Sequence, residues 1–379
     1  MSFSALGLSA PLLKAIDEQK YTQPSPVQQQ AIPALLARKD VLGISKTGSG
    51  KTAGYALPVL ELLQKRTPND RRILALVMVP TRELAIQVNE VFTALSQHLP
   101  KAVKTMAVYG GVSINPQMMA LHGTSILVAT PGRLLDLVNS KAIHLNEVEI
   151  LVLDEADKML NLGFKDEMDQ VFALLPSRRQ NALFSATLNN EVSKIQENLL
   201  RKPVVIEIVE EENSIELIDQ LAYHVTMERK GPFLRYLLKT ENLEQVLVFT
   251  SAIRAADNLV EKLKKNGVEA ASLHGDLSQS ARVRTLQQFK EGKLRVLVAS
   301  DLASRGIDIQ ALPVVINYEL PRSPKDYIHR IGRTGRAGEA GRAISLICPE
   351  DDHHFKIIQK KMGKAVEIRE TDDLNLHGF

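Results

Sequence analysis

Ser45-Lys46-Thr47-Gly48-Ser49-Gly50-Lys51-Thr52 follows the apolar run Val41-Leu42-Gly43-Ile44 and opens a helical pattern. A Gly-rich turn between strand and helix aims successive backbone N–H groups and a helix N-terminus at one point, the geometry that holds phosphate. In this reading Ser45, Lys46, Thr47, Gly48, Ser49 and Gly50 wrap a nucleoside triphosphate, Lys51 reaches its β- and γ-phosphates, and Thr52 reaches Mg²⁺. Ser45 stands where the strict phosphate-loop pattern has glycine. A second stretch, Leu151-Val152-Leu153-Asp154-Glu155-Ala156-Asp157, ends a buried-type strand in carboxylates. Asp154 can hold the Mg²⁺ shell, and Glu155 can orient and deprotonate an attacking water. Each stretch alone could be an ordinary turn or strand end; the pair, in this context, reads as a triphosphatase site.

The chain has 379 residues, 44% hydrophobic and 24% charged, with a formal net charge of +3. That length suits two domains, each with its own core. No apolar run approaches membrane-spanning length, and Met1-Ser2-Phe3-Ser4 lacks the basic flank and apolar stretch of a signal peptide. The single cysteine, Cys348, excludes an internal disulfide framework, so the expected compartment is the reducing cytoplasm. Cys348 ends the apolar run Ala343 to Ile347 and reads as a buried strand thiol. His353-His354 reads as a solvated helix face, because no acids or thiols accompany it at ligand spacing. With so small a net charge, any basic surface must be local. Aromatics are 4% and tryptophan is absent, which argues against an aromatic stacking platform for single strands.

Short apolar runs recur between helical patterns at 73–79, 103–108, 126–129, 150–153, 182–184 and 204–208, and again at 245–250, 270–273, 295–299, 314–318 and 342–347. Alternation of this kind predicts parallel sheets covered by helices on both faces. The expected fold is α/β, with two tandem domains joined by a flexible hinge. The acidic stretch Glu207-Ile208-Val209-Glu210-Glu211-Glu212-Asn213-Ser214 reads as that hinge. The expected boundaries are 1–30 for an amino-terminal segment, 31–206 and 217–362 for the two domains, 207–216 for the linker, and 363–379 for a partly loose tail.

The remaining signatures fall in a fixed order along nearly the whole chain. They are Pro80-Thr81-Arg82-Glu83-Leu84-Ala85, Gly110-Gly111, Thr130-Pro131-Gly132-Arg133, the Asp154–Asp157 tetrad and Ser185-Ala186-Thr187. His274-Gly275-Asp276 with Gln279 and Arg282, Ser300-Asp301, Ser304-Arg305-Gly306-Ile307-Asp308 and His329-Arg330-Ile331-Gly332-Arg333-Thr334-Gly335-Arg336 follow. In this order they resemble the DEAD-box ATP-dependent RNA helicases, and the short opening and compact body look most like the bacterial RhlE-type members. The resemblance implies two RecA-like domains that close on ATP and RNA together, opening short duplexes locally or remodelling RNA–protein complexes, with hydrolysis releasing the RNA.

Phe3 and the segment Tyr21 to Gln28 resemble the family's adenine-reading segment: Gln28 can pair donor and acceptor with the adenine edge, and Tyr21 offers a stacking face. Lys20 stands where the family usually has glycine. Arg333 and Arg336, three apart in a Gly-punctuated segment, can act as arginine fingers on the phosphates. The resemblance further places Asp308 at the ATP ribose and joins Asp157, Ser185, Thr187, His329 and Arg330 in an interdomain network. It lines an RNA groove with Arg82, Gly110, Gly111, Thr130 and Arg133 in the first domain and Gly275, Gln279, Arg282 and Ser300 in the second. Small residues and single guanidinium groups meet phosphates and sugars and carry no base code, so binding should be independent of sequence. The expected protein is a cytoplasmic monomer using ATP and Mg²⁺, touching no membrane, with possible protein partners in RNA decay or ribosome assembly. Rival readings are a DNA-directed helicase of the same superfamily, a nucleotide-gated RNA clamp, and a transport or kinase phosphate-loop ATPase.

Overall fold

Runs of four to six apolar residues are too short for helices, and bounded by turn residues they become central strands. The computed structural model describes residues 2–46, 48–65, 73–208, 218–300, 312–335 and 341–379. The chain separates into two compact units, Met1–Val209 and Glu210–Phe379.

In the first unit the strands are β1 (Val41–Ile44), β2 (Ala75–Met78), β3 (Thr105–Val108), β4 (Ile126–Ala129), β5 (Ile150–Leu153), β6 (Gln180–Ser185) and β7 (Val204–Glu207). They form one parallel sheet in the order β3-β4-β2-β5-β6-β1-β7. Successive residues of each strand alternate between two cores. Ala75, Val77, Ile126, Val128, Ile150 and Val152 face one side, with helices α1 (Ala10–Glu18), α2 (Pro26–Leu36), α3 (Lys51–Gln64) and α4 (Arg82–Ser96). Leu76, Met78, Leu127, Leu151 and Leu153 face the other, with α5 (Ile114–Ala120), α6 (Pro131–Asn139), α7 (Ala156–Asn161), α8 (Lys165–Leu174) and α9 (Asn190–Leu199). A strand buried on both faces disfavours polar positions, which is why β2, β4 and β5 are apolar throughout.

The second unit contains β8 (Ile218–His224), β9 (Val246–Thr250), β10 (Ala270–Leu273), β11 (Val296–Ser300), β12 (Val314–Asn317), β13 (Gly341–Ile347) and β14 (Glu367–Glu370). Its sheet order is β10-β11-β9-β12-β13-β8-β14, which is the order of the first sheet with every strand advanced by seven. The helices are α10 (Met227–Thr240), α11 (Ile253–Lys265), α12 (Gln279–Lys290), α13 (Pro324–Ile331) and α14 (Asp352–Met362). Tandem α/β units with parallel sheets are what the alternating pattern predicts; their shared strand order is a finding of the structure. Cys348 is buried just beyond β13, also as expected.

Four expectations differ. β8 precedes the rhythm seen to restart at 245, and its Gln220 is buried because the Tyr327 hydroxyl donates to Gln220 Oε1 at 3.3 Å. Glu207 and Ile208, read as hinge, belong to the first sheet: Glu207 pairs with Ile44, and Ile208 N donates to Ile44 O. The rest of the expected hinge lies outside the described residues. The expected loose tail is docked. β14 lies parallel to β8, the Arg229 guanidinium donates to the carbonyls of Thr371 and Leu374, and the Phe379 ring packs on Tyr236 at 5.3 Å. His224 joins Glu370 on β14 at 2.7 Å to Asp352 on α14 at 2.8 Å. Burial alone would lower its pKa, but the hydrogen bonds to the two carboxylates outweigh burial and raise it. His354 is half-buried rather than solvated, its Nε2–H donating to Pro321 O at 2.7 Å.

Lys20 ends α1 in the left-handed region at φ 58°, with Lys20 N donating to Asp17 O and Tyr21 N to Ile16 O. This double bond pattern terminates a helix best when glycine occupies the left-handed position. The backbone geometry expected of a glycine is therefore kept by a lysine, at a cost of roughly 1 kcal/mol. Lys20→Gly should stabilise the first unit by about 0.5–1 kcal/mol, read as a higher urea midpoint at unchanged slope; a lower midpoint would show that Lys20 makes compensating contacts.

Candidate functional site

The phosphate loop leaves the carboxyl end of β1 and enters α3. Gly50 adopts φ 88° as the N-cap of α3, and a Cβ there would sit 2.6 Å from Gln28 Nε2 and 2.9 Å from Ser25 Oγ. Gln28 explains the closeness. Ser25 caps α2 in a capping box whose third residue is Gln28, so Gln28 Oε1 accepts from Ser25 N at 2.9 Å while its Nε2 donates to Gly50 O at 3.0 Å. The expected adenine reader thus also ties its own segment to the phosphate loop, and by count one lone pair and one N–H remain on its amide. Tyr21 is half-buried against the first core, its ring 6.5 Å from that of buried Phe3. Ser45 N donates to Ser185 O across to β6, Ser45 and Ser49 share a hydroxyl bond of 2.9 Å, and Lys51 Nζ donates to Ser45 O at 2.7 Å. Lys46, Gly48 and Thr52 lie on the same loop and helix start; Thr47 lies outside the described residues.

Asp154 and Glu155 stand at the carboxyl end of β5, both almost fully buried. Asp154 Oδ2 accepts from the Tyr55 hydroxyl at 2.9 Å, whereas Oδ1 is buried with no hydrogen-bond partner. Burial pushes the Asp154 carboxyl up and Glu155 adds to the rise, while the Lys51 ammonium and the Tyr55 hydroxyl oppose it. Tyr55 is held well above its ordinary pKa by burial and by Asp154, so it stays a donor. Glu155 adopts φ 55°, a left-handed conformation costing a non-glycine residue on the order of 1–3 kcal/mol. Its Oε1 accepts from Lys158 Nζ at 2.7 Å. One turn on, Asp157 Oδ2 accepts from Thr187 Oγ1 at 3.0 Å, and Ser185 Oγ donates to Thr187 O at 2.8 Å. The fold therefore brings Lys51, Asp154, Glu155, Asp157, Ser185 and Thr187 to the ends of three adjacent strands, β1, β6 and β5. Tyr55, Ser25 and Lys158 were missed: each acts through a neighbour, and only the one-turn spacing of Tyr55 from Thr52 hints that it faces the same site.

Arg82, Gly110, Gly111, Thr130 and Arg133 follow the carboxyl ends of β2, β3 and β4. The Arg82 guanidinium lies against Gly111, where a Cβ would come within 2.4 Å of Nη1, and Gly111 has φ 77°. Arg133 is 7% exposed and donates from Nη2 to Val112 O at 2.7 Å, bracing the glycine turn. Thr130 caps α6 by position, without a side-chain bond.

In the second unit His274 is buried and its Nε2 meets Asp257 Oδ1 at 2.9 Å, which leaves Gly275 exposed just beyond it. Arg282 is buried on α12 and Ser300 ends β11. Arg330 is 2% exposed: its Nη1 donates to Asn317 Oδ1 at 3.1 Å and Glu319 O at 2.6 Å, and its guanidinium lies 5.0 Å from the Phe249 ring centre. Both of these acceptors belong to its own unit. His329 is exposed and Arg333 half-buried at the end of α13. Asp308, Arg336 and the side chain of Gln279 lie outside the described residues. No cluster of three His, Cys, Asp or Glu is arranged as a metal site among the described residues.

A carboxylate with one oxygen unpartnered in the interior destabilises the fold that contains it. Asp154→Asn keeps the shape and an acceptor for Tyr55 while removing the buried charge. It should raise the thermal midpoint by about 2–4 °C for each kcal/mol released; a fall on calorimetry would show that the charge is compensated.

Residues 25–195 match the family model described as DEAD/DEAH box helicase, and residues 229–338 match that of the helicase conserved C-terminal domain. The DEAD-box ATP-dependent RNA helicase CshA of Streptococcus pneumoniae is 42% identical over 368 residues, covering 97% of this chain and 69% of that protein. The ATP-dependent RNA helicase DeaD of Escherichia coli is 39% identical over 378 residues, covering 100% of this chain and 60% of that protein. Among solved structures, Dbp5 of S. cerevisiae bound to RNA and ADP BeF3 superposes with a TM-score of 0.83 at 33% identity, covering 98% of this chain and 96% of that one. With identity of this extent running through both RecA-like units, the chain belongs to the DEAD-box ATP-dependent RNA helicases.

Proposed function

We propose that this protein is an RNA-dependent ATPase that opens short RNA duplexes locally or remodels RNA–protein complexes, with ATP hydrolysis coupled to RNA release. The observation that carries the proposal is the convergence of Lys51, Asp154, Glu155 and Asp157 at the carboxyl ends of β1 and β5, beside a glycine turn held by Gln28. Carboxyl ends of parallel strands are where open α/β sheets bind ligands.

In this reading the loop from Ser45 to Thr52 cradles the ATP phosphates, with Lys51 neutralising them and Tyr21 and Gln28 meeting adenine. Mg²⁺ suits the donors present: Asp154 Oδ1 is a buried oxygen without a protein partner, and Thr52 offers a hydroxyl at the start of α3. When bound, the ion supplies charge neutralisation at the transferring phosphate. Glu155, fixed by its strained backbone and Lys158, orients the water and takes its proton. Arg333 and Arg336 bring guanidinium groups to the equatorial oxygens from the second unit, Asp308 meets the ribose, and Asp157, Ser185, Thr187, His329 and Arg330 link nucleotide to RNA. RNA lies on Arg82, Gly110, Gly111, Thr130, Arg133, Gly275, Gln279, Arg282 and Ser300, held by its backbone and so without sequence preference. A cytoplasmic monomer with partners in RNA decay or ribosome assembly completes the proposal. No helix among the described residues is long and apolar enough to cross a membrane.

RNA-stimulated phosphate release tests the reading. Glu155→Gln should bind ATP and retain RNA while losing turnover, so slow RNA dissociation should accompany lost hydrolysis; wild-type RNA release would remove Glu155 from the role of base. Arg336→Ala should lose about 10³-fold in turnover with little change in ATP affinity, the lower end of what an arginine finger contributes. Full RNA stimulation in Arg336→Ala, or in a fragment of residues 1–206, would show that the second unit supplies no catalytic group.

A further inference from the structure

At the amino ends of β1, β6 and β7, Arg38, Lys39, Arg179, Arg201 and Lys202 line a cleft of about 400 Å³ with Asp40 and Val204. β6 is six residues long, so the cleft lies about 20 Å from the phosphate loop, at the opposite end of the same sheet. Five cationic side chains thus share the lining with one carboxylate, whose oxygens already accept from backbone N–H groups. Asp40 is 7% exposed, with Oδ1 accepting from Asn181 N and Oδ2 from Arg201 N, both at 2.8 Å.

The guanidinium groups are held in place. Arg179 donates to Pro176 O and, at 2.9 Å, to Asn181 Oδ1; Arg201 donates to Ser177 O at 2.8 Å. Both are therefore anchored on the one turn between α8 and β6. Burial lowers the pKa of Arg179 and the neighbouring Arg201 charge lowers it further, against the opposing pull of Asp40. A guanidinium has five N–H donors, and these bonds leave several on each. The backbone adds a second cost. Arg38, at φ 60°, occupies the left-handed position that ends α2, its N donating to Leu35 O and Lys39 N to Ala34 O, and Lys202 has φ 44°. Glycine would take either position without strain. Cations gathered around one cleft are stabilised by an anion bound among them.

We propose that this cleft is a second anion site that binds adjacent phosphate groups, an oligophosphate presented either by an RNA strand running beyond the catalytic groove or by a free polyphosphate. Two fixed planar forks match phosphate oxygens bidentately, and the volume lies at the low end of ligand-sized clefts. The RNA source rests on the function proposed above; the phosphate chemistry does not.

Inorganic tripolyphosphate is titrated calorimetrically into the full chain carrying Lys51→Ala, so that the phosphate loop does not compete. Binding should be 1:1 and weaken with salt, and Arg179→Gln/Arg201→Gln should weaken it at least tenfold. Since those arginines brace a turn, Lys39→Glu/Lys202→Glu, confined to exposed side chains, is measured alongside and should act in the same direction at an unchanged thermal midpoint. In the RNA arm, single-stranded RNAs of increasing length are bound to the otherwise unmodified chain. Loss of the length-dependent gain in affinity, with a salt slope shallower by about 1.4 for two lost phosphate contacts, assigns the site to RNA. Loss of tripolyphosphate binding with no change for any RNA assigns it to a free oligophosphate. Unchanged tripolyphosphate affinity in both double variants overturns the proposal, whatever the RNA-stimulated ATPase does.

Discussion

A carboxylate held in the interior at the end of β5 is the constraint around which the first unit is arranged. Asp154 is 2% exposed, and a charge so placed must be shared among neighbours. Tyr55 reaches it from α3 and Lys51 opposes its charge from the start of the same helix. That helix can begin where it does only because Gly50 turns the chain at a positive φ under the Gln28 side chain. Each support comes from a different element, so sheet register, α3 and the capping box of α2 are coupled to the position of one oxygen pair. Stability is spent at this point, which is the usual signature of a site kept for chemistry rather than for folding.

The second unit repeats the topology without repeating the loop. Its sheet has the strand order of the first, yet the buried charge near its strand ends is a cation, Arg330, held by Asn317, Glu319 and the Phe249 ring. The carboxyl ends of the two like sheets thus differ in the buried charge they hold. One presents carboxylates and a phosphate loop; the other presents a braced helix, α13, with Arg333 just past its end.

Sequence legibility follows burial. Strands covered on both faces, such as Ile150–Leu153 and Ile126–Ala129, stand out because no polar residue is tolerated there. β8 and β14 do not. β8 carries exposed Asp219 and buried Gln220, whose Oε1 accepts from a tyrosine more than a hundred residues away. β14 is the charged edge strand Glu367-Ile368-Arg369-Glu370, exposed along its length, and the charges that hide it from a hydrophobicity reading also blunt the edge against unwanted pairing. At the candidate site the loop, the acids and the small residues were readable because their chemistry demands particular residue types at short spacing. Tyr55 was not, since a phenol on an apolar helix looks like core filler until its hydroxyl is found beside Asp154. Gln28 was readable in part: an amide suited to adenine was foreseen, its grip on Gly50 O was not.

The two ends of the first sheet also differ in how they hold charge. At the carboxyl ends, acids and Lys51 neutralise one another in the interior. At the amino ends, Asp40 is consumed by backbone N–H groups, and Arg38, Lys39, Arg179, Arg201 and Lys202 stand around it with no comparable set of carboxylates among the residues lining the cleft. Parallel strands concentrate loops at both ends, but only the carboxyl-end loops are expected to carry ligands. Two positions of the cationic cleft at the other end, Arg38 and Lys202, have left-handed backbone that glycine would take with less strain. Asp40 joins the ends of β1 and β6, Arg179 and Arg201 brace the turn before β6, and the exposed Lys39 and Lys202 side chains add charge to that frame.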